Sequence, residues 1–310
     1  MIVPAKRYYD FNSYLRSTFG CRVQKITVDA GFTCPNRDGS ISSRGCLYCN
    51  ARGSGTGAFR RGISIADQLY RGKEKLSARY KAKKFIAYFQ AFTNTYAPLP
   101  VLKSVYETAL AVEDIVGLSI GTRPDCVDEA VLDLLQGYAR QHLIWIEYGL
   151  QSAHDETLIS INRGHDVDCF RRAVQATRDR GIKICAHVIL GLPGETRSHM
   201  LQTADFLANI GIDGLKLHLL YVVRGTKLED WYGTGRYQCL SQEEYVDLVC
   251  DFLERTPGHV IIQRLTGDPH PHELVAPQWS LRKVETLTLI TKRLTDRNTW
   301  QGRRLPGGDS

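Results

Sequence analysis

Residues 183–195 have the sequence KICAHVILGLPGE, an apolar run that ends in a glycine-rich turn. The run has the length and composition of a buried strand, and a helical pattern of apolar residues follows it at 198–210. A strand, a tight turn and a helix in this order form the repeating unit of a parallel α/β sheet. This stretch therefore predicts the fold class of the chain.

The same unit recurs between about residues 23 and 222. The predicted strands are 24–28, 85–90, 116–122, 143–150, 183–190 and 214–220. Helical patterns separate them at 64–82, 100–113, 128–140, 168–180 and 198–210. Six strands with helices between them indicate a parallel sheet, either open or wrapped into a partial barrel.

The regular alternation of strand and helix patterns ends after residue 221. The sequence SQEE at 241–244 is a capping box, which begins a helix that runs to about Arg255. A short strand at 260–264 and a helix at 281–294 complete a small C-terminal α+β unit. The predicted organisation is a lead-in at 1–22, a barrel domain at 23–232, a C-terminal accessory domain at 233–301 and a disordered tail at 302–310.

Composition excludes several classes of protein. The chain has 310 residues, 43% of them hydrophobic and 24% charged, which is typical of a globular protein that buries a full core. No run approaches the roughly 18 apolar residues of a membrane-spanning helix, and the first residues lack a secretion signal, so we expect no membrane partner. Nine cysteines in such a chain predict a reducing, cytoplasmic location. The net charge of +7 is compatible with RNA without establishing it.

Polar or glycine-rich residues follow every predicted strand. Gln90 ends the second strand, Cys126 follows the third, and Glu147 and Gln151 belong to the fourth. In parallel α/β folds, ligands bind at the carboxyl ends of the strands. The sequence therefore predicts a binding site at this edge.

Three cysteines give the most specific signal. Cys34, Cys46 and Cys49 form the pattern C-x11-C-x2-C within a glycine-rich loop after the first strand. Two cysteines separated by two residues can bind one metal, but a structural zinc normally needs a fourth Cys or His, which this loop lacks. Three thiolates suit a cubane iron–sulfur cluster that leaves one iron open. From spacing alone, a zinc site and three unrelated buried thiols remain alternatives.

Eight stretches in a fixed order carry a family resemblance. They are TCPNRDG at 33–39, CLYC at 46–49, YFQAFTNTY at 88–96, TRPDC at 122–126, GLQS at 149–152, NRGH at 162–165, HVILGLPGE at 187–195 and KLHLL at 216–220. Together they resemble the radical S-adenosylmethionine (SAM) superfamily, in the branch of the elongator catalytic subunit and of the YhcC/YtqA-like bacterial proteins. The resemblance extends to QRL at 263–265. The cysteine spacing departs from the commonest form, C-x3-C-x2-C, and the usual Gly-Gly-Glu after the second strand is replaced by residues 90–95.

The resemblance implies a partial (β/α)6 TIM-like barrel with a small C-terminal α+β extension. It implies that Cys34, Cys46 and Cys49 ligate three irons of one 4Fe-4S cluster, whose fourth iron binds SAM. One electron, from a low-potential donor such as flavodoxin or ferredoxin, then cleaves SAM and yields a 5′-deoxyadenosyl radical that abstracts a hydrogen atom from the substrate.

The resemblance also implies six SAM-binding residues: Gln90, Glu147, Gln151, Arg163, Ile189 and Gly191. Gln90 and Glu147 would hold the amino or ribose groups, with Gln151 one step further along the strand. Arg163 would pair with the carboxylate, and Ile189 and Gly191 would flank the adenine. Two of these have a structural alternative: Glu147 can pair with a nearby Arg, and Gly191 can be a plain turn residue.

Catalytic candidates are His187, His218 and Cys126, which sit at or near strand ends. Each also has a structural interpretation, because histidines of this kind are more often hydrogen-bonded in the core and Cys126 is most simply a spare thiol. Arg123 and Asp125 can form an ion pair that caps the next helix.

The basic segments and the resemblance together suggest a substrate. Residues 73–84 carry six basic side chains against one acidic, and residues 281–304 carry seven against two. They form either a phosphate-binding face or solvated helix faces. Because the elongator relative acts on the wobble uridine of tRNA, we predict modification of a wobble uridine side chain. The acetyltransferase domain of that relative has no counterpart in this sequence, so acetyl transfer is not expected and the reaction would differ, for example by remodelling an existing carboxymethylaminomethyl group. A radical SAM enzyme for a small molecule or protein, and a non-enzymatic zinc or iron–sulfur RNA-binding module, are the alternatives.

Overall fold

Seven parallel strands form one continuous sheet in the computed structural model, which describes residues 6–50, 53 and 56–306. In spatial order they are β1 (Val23–Val28), β2 (Lys84–Phe89), β3 (Ile115–Thr122), β4 (Leu143–Gln151), β5 (Lys183–Leu190), β6 (Gly214–Leu219) and β8 (Ile261–Arg264). A two-stranded antiparallel sheet pairs β7 (Val222–Val223) with β9 (Leu274–Ala276). The first six strands match the predicted ones to within one residue at each end, and the α/β partial-barrel prediction is confirmed.

Helices connect the strands and cover one face of the sheet. They are α1 (Phe11–Phe19), α2 (Ile65–Tyr80), α3 (Leu99–Leu110), α4 (Glu129–Ala139), α5 (Asp155–Ser160), α6 (Val167–Thr177), α7 (Arg197–Ile210), α8 (Lys227–Gly233), α9 (Gln242–Glu254) and α10 (Lys283–Asp296). The capping box predicted at Ser241 and Glu244 is present at the start of α9. The sequence patterns missed α1, α5, α8, β7 and β9. Each of these has nine residues or fewer, which is too short for a periodic pattern to stand out.

The sheet is one strand wider than the six expected, because the C-terminal unit contributes β8. Gly214 of β6 pairs with Ile261 of β8 in parallel register. Lys25 on β1, the opposite edge strand, donates from Nζ to Oε1 of Gln263 at 2.7 Å. The two edges of the sheet therefore approach each other, and the sheet curls into a partial barrel. The predicted domain boundary at residue 232 stays a prediction. Although β8 lies in the predicted C-terminal domain, it pairs with the sheet of the barrel domain.

Both ends of the chain pack against this barrel. Asp10 forms a parallel bridge with Ile262, and Leu15 of α1 is buried. After α10, the backbone N–H of Gly302 donates to the carbonyl of Leu253 at 3.0 Å. Residues 1–5 and 307–310, parts of the predicted lead-in and disordered tail, lie outside the described residues. In the described part of the chain, no helix is both long and apolar enough to cross a membrane.

The two faces of the sheet differ in chemistry. The outer face packs apolar side chains against the helices, such as Leu69 of α2 and Leu102 of α3. The inner face alternates along β4 from Trp145 to Glu147 to Gly149, because every second residue of a strand points to the same side. Trp145 closes the lower end with Phe11 and Tyr14 of α1, at ring-centroid distances of 5.8 and 5.9 Å. The barrel interior is therefore apolar at its base and polar above it.

Candidate functional site

A cavity of about 670 Å³ opens at the carboxyl ends of the strands. Ten of the twelve predicted site residues line it: Cys34, Cys46, Cys49, Gln90, Glu147, Gln151, Arg163, His187, Ile189 and His218. They come from the cysteine loop, from strands β4 to β6 and from the segments that follow β2 and α5. The fold thus gathers residues that are more than 180 positions apart in sequence.

The three thiols face this cavity together. Cys34 and Cys46 are buried and Cys49 is half-buried. Nδ2 of Asn36 lies 3.4 Å from Sγ of Cys46, and Nη1 of Arg37 lies 3.6 Å from Sγ of Cys49. Burial raises the pKa of Cys49 to about 11, while the Arg37 guanidinium opposes that shift. Donors placed beside the sulfurs suit thiolates that are held by a metal centre.

Residues 161–163 hold the cysteine loop in place. The N–H of Leu47 donates to the carbonyl of Ile161 at 2.9 Å. Nδ2 of Asn162 donates to the carbonyl of Gly45 at 2.6 Å, and Nδ2 of Asn36 donates to the carbonyl of Asn162 at 2.5 Å. Asn162 has a φ of +53°, in the left-handed region that Asn tolerates better than most residues. The NRGH motif therefore acts through the backbone that supports the cysteines.

Arg163 lies beside Cys46. Its Nη2 donates to the carbonyl of Gly149 at 2.8 Å, and its Nη1 is 3.8 Å from Sγ of Cys46. A Cβ atom at position 149 would lie 2.5 Å from Nη2 of Arg163 and 2.6 Å from Nε2 of Gln151. Glycine at position 149 therefore leaves the space that the side chains of Arg163 and Gln151 occupy at the end of β4.

Arg123 and Asp125 form the ion pair expected as the structural alternative. Nη2 of Arg123 is 2.7 Å from Oδ2 of Asp125, and its Nη1 donates to the carbonyl of Arg163 at 2.7 Å. Asp128 caps α4 instead, because its side chain accepts from the N–H of Val131. The pair therefore positions Arg163 rather than the next helix.

Glu147 is the centre of a polar network in the barrel interior. Its Oε1 accepts from Nζ of Lys25 at 2.6 Å and from the hydroxyl of Ser119. Its Oε2 accepts from Nε2 of His187 at 2.7 Å and from Nζ of Lys216. Although burial alone would raise it, Lys216 and Lys25 hold the pKa of Glu147 well below its usual value. The predicted SAM-binding carboxylate is thus engaged by four protein side chains, and its partners include two lysines rather than an arginine.

The two candidate histidines lie next to each other. Their ring centroids are 5.2 Å apart, and Nε2 of His218 is buried without a partner in the described part of the chain. Burial, with Lys216 adding to it, lowers the pKa of His187 to about 4. Burial also lowers the pKa of His218 well below its usual value. Both rings are therefore neutral at neutral pH.

Gly191 and Cys126 do not line this cavity. Gly191 has a φ of +86°, its carbonyl accepts from the Tyr237 hydroxyl at 2.9 Å, and a Cβ would lie 3.1 Å from Leu240. Cys126 lines a separate cleft of about 520 Å³ with Thr95 and other residues. Burial raises the pKa of Cys126 to about 12, so the thiol form dominates at neutral pH.

Sequence reasoning missed several cations of the site, among them Lys25 and Arg264. Lys25 binds Glu147, and Arg264 lines the cavity from β8. A lysine within the apolar run 24–28 was a signal, because strand alternation places it on the polar inner face. Arg264 lies in the stretch QRL at 263–265 to which the resemblance extends, but nothing local shows that 260–264 joins the barrel sheet.

The residues fit an iron–sulfur cluster with SAM better than a single metal ion. Across residues 6–50, 53 and 56–306, no three His, Cys, Asp or Glu side chains converge tightly enough to hold one ion. A cluster instead takes one thiolate on each of several irons. Around the same cavity, Nε of Arg163, Oδ1 of Asn36 and Oγ1 of Thr93 are buried without partners among the described residues. Polar groups of a bound cofactor would satisfy such atoms.

A curled parallel sheet with three cysteines facing one cavity at its carboxyl edge defines a radical SAM fold and site. The sequence profile of the radical SAM superfamily matches residues 38–207, and that of the Radical_SAM C-terminal domain matches residues 212–296. The chain belongs to the radical SAM superfamily, an enzyme family that uses a 4Fe-4S cluster and SAM. The predictions of the superfamily, of an enzyme and of these cofactors are confirmed.

Individual relatives extend this result. The chain is 43% identical over 298 residues to the uncharacterized protein YtqA of Bacillus subtilis, covering 96% of this chain and 92% of the relative. It is 43% identical over 270 residues to protein YhcC of Escherichia coli, covering 87% and 86%. Elongator complex protein 3 of Danio rerio is 35% identical over 157 residues, which are 49% of this chain and 28% of the relative. The structure of archaeal Methanocaldococcus infernus Elp3 shares the fold, with a TM-score of 0.69, 17% identity and coverage of 90% of this chain and 64% of that one.

Proposed function

We propose that this protein is a radical SAM enzyme that modifies the side chain of a wobble uridine in tRNA. The observation that carries the proposal is the cavity, which brings the three cysteines and a polar floor that includes Glu147, His187 and Arg264 to one opening. A nucleobase substituent that enters this opening would meet both the cysteine side of the cavity and its polar floor. The stretches shared with the elongator branch support the choice of tRNA.

The basic surface supports an RNA partner at one end of the chain only. Arg60 and Arg61, which follow the cysteine loop, are exposed, as are Lys75, Arg79 and two further lysines of the segment 73–84. In the segment 281–304, six of the seven basic side chains form ion pairs within the protein. The proposed phosphate contacts therefore lie along the cysteine loop and α2.

When bound, the cluster and SAM supply the hydrogen-abstracting radical once an electron arrives, and the protein supplies position and electrostatics. Cys34, Cys46 and Cys49 would hold the cluster. Asn36, Arg37 and Arg163 place N–H groups toward the sulfurs of Cys46 and Cys49, and these contacts would raise the reduction potential of a bound cluster. Arg163, fixed by Gly149 and Arg123, would pair with the SAM carboxylate. Glu147 holds Lys216 and His187 in fixed positions in the floor.

Anaerobic reconstitution tests the enzyme. With iron, sulfide, SAM and dithionite, the protein is expected to bind about one cluster and form 5′-deoxyadenosine. Cys46→Ser is the matched control and is expected to lose both iron and product. A colourless, zinc-loaded protein that leaves SAM intact would overturn the assignment.

Nucleoside analysis tests the substrate. In tRNA from a strain that lacks the gene, we expect a precursor to replace the modified wobble uridine. This precursor would still carry the side chain that the enzyme normally changes. The wild-type gene should restore the modified uridine, and the Cys46→Ser gene should not. Unchanged wobble uridines in the deletion strain would remove tRNA as the substrate.

A further inference from the structure

Arg264 is a cavity-lining cation that has no counter-charge among the described residues. It lies on β8 opposite Lys216 of β6 and is half-buried. Within the described residues, its guanidinium makes no hydrogen bond or ion pair. A partly desolvated charge of this kind is costly unless a ligand neutralises it.

The carboxylates nearby are already engaged. Glu147 is already bound by both Lys25 and Lys216. Asp268 lies 2.9 Å from Nζ of Lys283, and Oε2 of Glu273 accepts from Asn50 at 3.2 Å. Arg264 therefore finds no free carboxylate among the described residues that line the cavity, and an anion is the ligand that its charge favours.

His218 supplies a second group at the same place. It lines the cavity, and its buried Nε2 has no partner among the described residues. Arg264 lines the same cavity, and its positive charge contributes, after burial, to the low pKa of His218. A guanidinium with a neighbouring imidazole N–H is a receptor for an oxyanion.

We propose that Arg264, together with His218, binds a carboxylate on the substrate side chain and thereby determines substrate specificity. Arg264 pairs in register with Lys216 of β6 and lines the cavity, so we expect its ligand to be a group that enters the cavity, such as a substituent on a base. Arg163, which lies beside Cys46, is the residue proposed above to pair with the SAM carboxylate. Identification of the ligand as a base substituent rests on the proposed function.

Equilibrium binding without reductant tests this assignment, because no turnover occurs. The probes are two anticodon stem-loop RNAs, with 5-carboxymethylaminomethyluridine or 5-aminomethyluridine at the wobble position. The reconstituted wild-type protein is expected to bind the carboxylate RNA about tenfold or more tightly than the other. Arg264→Met is expected to bind both RNAs equally and to bind SAM as the wild type does. Arg264→Lys keeps the positive charge and should retain part of the preference for the carboxylate RNA. This second variant therefore still tests the proposal if Arg264→Met fails to fold.

Arg140→Met is the matched control. Arg140 is exposed at the end of α4, where the chain leads into the amino end of β4, whereas the cavity lies at the carboxyl ends of the strands. The preference should therefore persist in this variant. An unchanged preference in Arg264→Met would overturn the proposal. Weakened SAM binding with an intact preference would also overturn it, because the anion at Arg264 would then be the SAM carboxylate.

A small probe separates this proposal from the proposed function. N-methylglycine binding, compared with that of its amide by NMR, is expected in the wild type and not in Arg264→Met. If neither RNA binds but N-methylglycine binding depends on Arg264, the tRNA proposal fails and the carboxylate site stands. If both RNAs bind the wild type equally and N-methylglycine does not bind, the carboxylate site fails and the tRNA proposal stands.

Discussion

At the scale of single residues, the pairing of charges around Glu147 determines how the polar side chains of the barrel interior are arranged. Glu147 is fully buried, and its four hydrogen-bond donors come from four different strands: β1, β3, β5 and β6. A buried carboxylate is stable only with such partners, and each partner in turn depends on it. The network therefore fixes the floor of the cavity before any ligand arrives.

Replacing this carboxylate tests the network. Glu147→Gln leaves the buried Lys216 and the half-buried Lys25 without their counter-charge, so we expect the free energy of unfolding to fall by about 3–5 kcal/mol. Urea denaturation measures it. Glu107→Gln, which breaks an exposed pair with Lys103, should change stability by no more than about 1 kcal/mol. Equal effects of the two substitutions would contradict the central role of Glu147.

Cys126 supplies a second test at this scale. Because its thiol opens to a cleft other than the one the three cysteines share, Cys126→Ser is expected to retain full iron and sulfide after reconstitution. Cys49→Ser should lose the cluster in the same assay. Loss of iron from Cys126→Ser would show that this thiol is a ligand.

At the scale of elements, α1 joins the two edges of the sheet. Asp10 caps the helix through the N–H of Ser13 and also bridges to Ile262, while Leu15 packs with Val23 of β1 and Ile86 of β2. The helix thereby covers the apolar base of the barrel beneath Trp145. An element that would pass for a mere lead-in is thus part of the core.

Truncating its buried side chain should therefore weaken the whole barrel. Leu15→Ala is expected to lower the free energy of unfolding by about 2–5 kcal/mol, the usual cost of a cavity in a packed core. Arg16→Ala, on the exposed side of the same helix, should change it by about 0.5 kcal/mol or less. Two similar values in urea denaturation would mean that α1 is not integral to the fold.

At the scale of the whole molecule, the buried interior makes stability depend on pH. The folded-state pKa of His187 lies at about 4, because of burial and then Lys216, against an unfolded value of 6.5. Between these values the unfolded chain binds a proton that the folded protein does not. The stability that this difference provides is complete above pH 6.5 and is lost as the pH falls toward 4. The lowered pKa of Glu147 acts in the same direction at still lower pH.

We therefore expect the free energy of unfolding to decrease steadily from pH 7 to pH 4.5. His187→Gln should make this slope shallower by up to about 1.4 kcal/mol per pH unit, the value for one proton. His259→Gln, at an exposed position, is the control. A slope that is the same in the wild type and in His187→Gln would show that His187 titrates alike in both states.

The sequence by itself determined the strands, most helices, the three cysteines and the superfamily. Strand positions follow from local apolar runs such as 183–190, and the cysteines and glycines form motifs whose spacing is local too. Ten of the twelve predicted site residues meet at one cavity because strand ends of a parallel sheet converge.

Only the tertiary structure decided how the ends of the chain complete the barrel and what surrounds Glu147. The pairing of β8 with β6 and the contact between Lys25 and Gln263 join residues far apart in sequence, and no local pattern specifies them. The same long-range pairing brings Arg264 to the cavity, and folding directs six of the seven C-terminal basic side chains into ion pairs. Local propensity sets the elements, whereas burial and charge pairing, which depend on the whole fold, set the chemistry of the site.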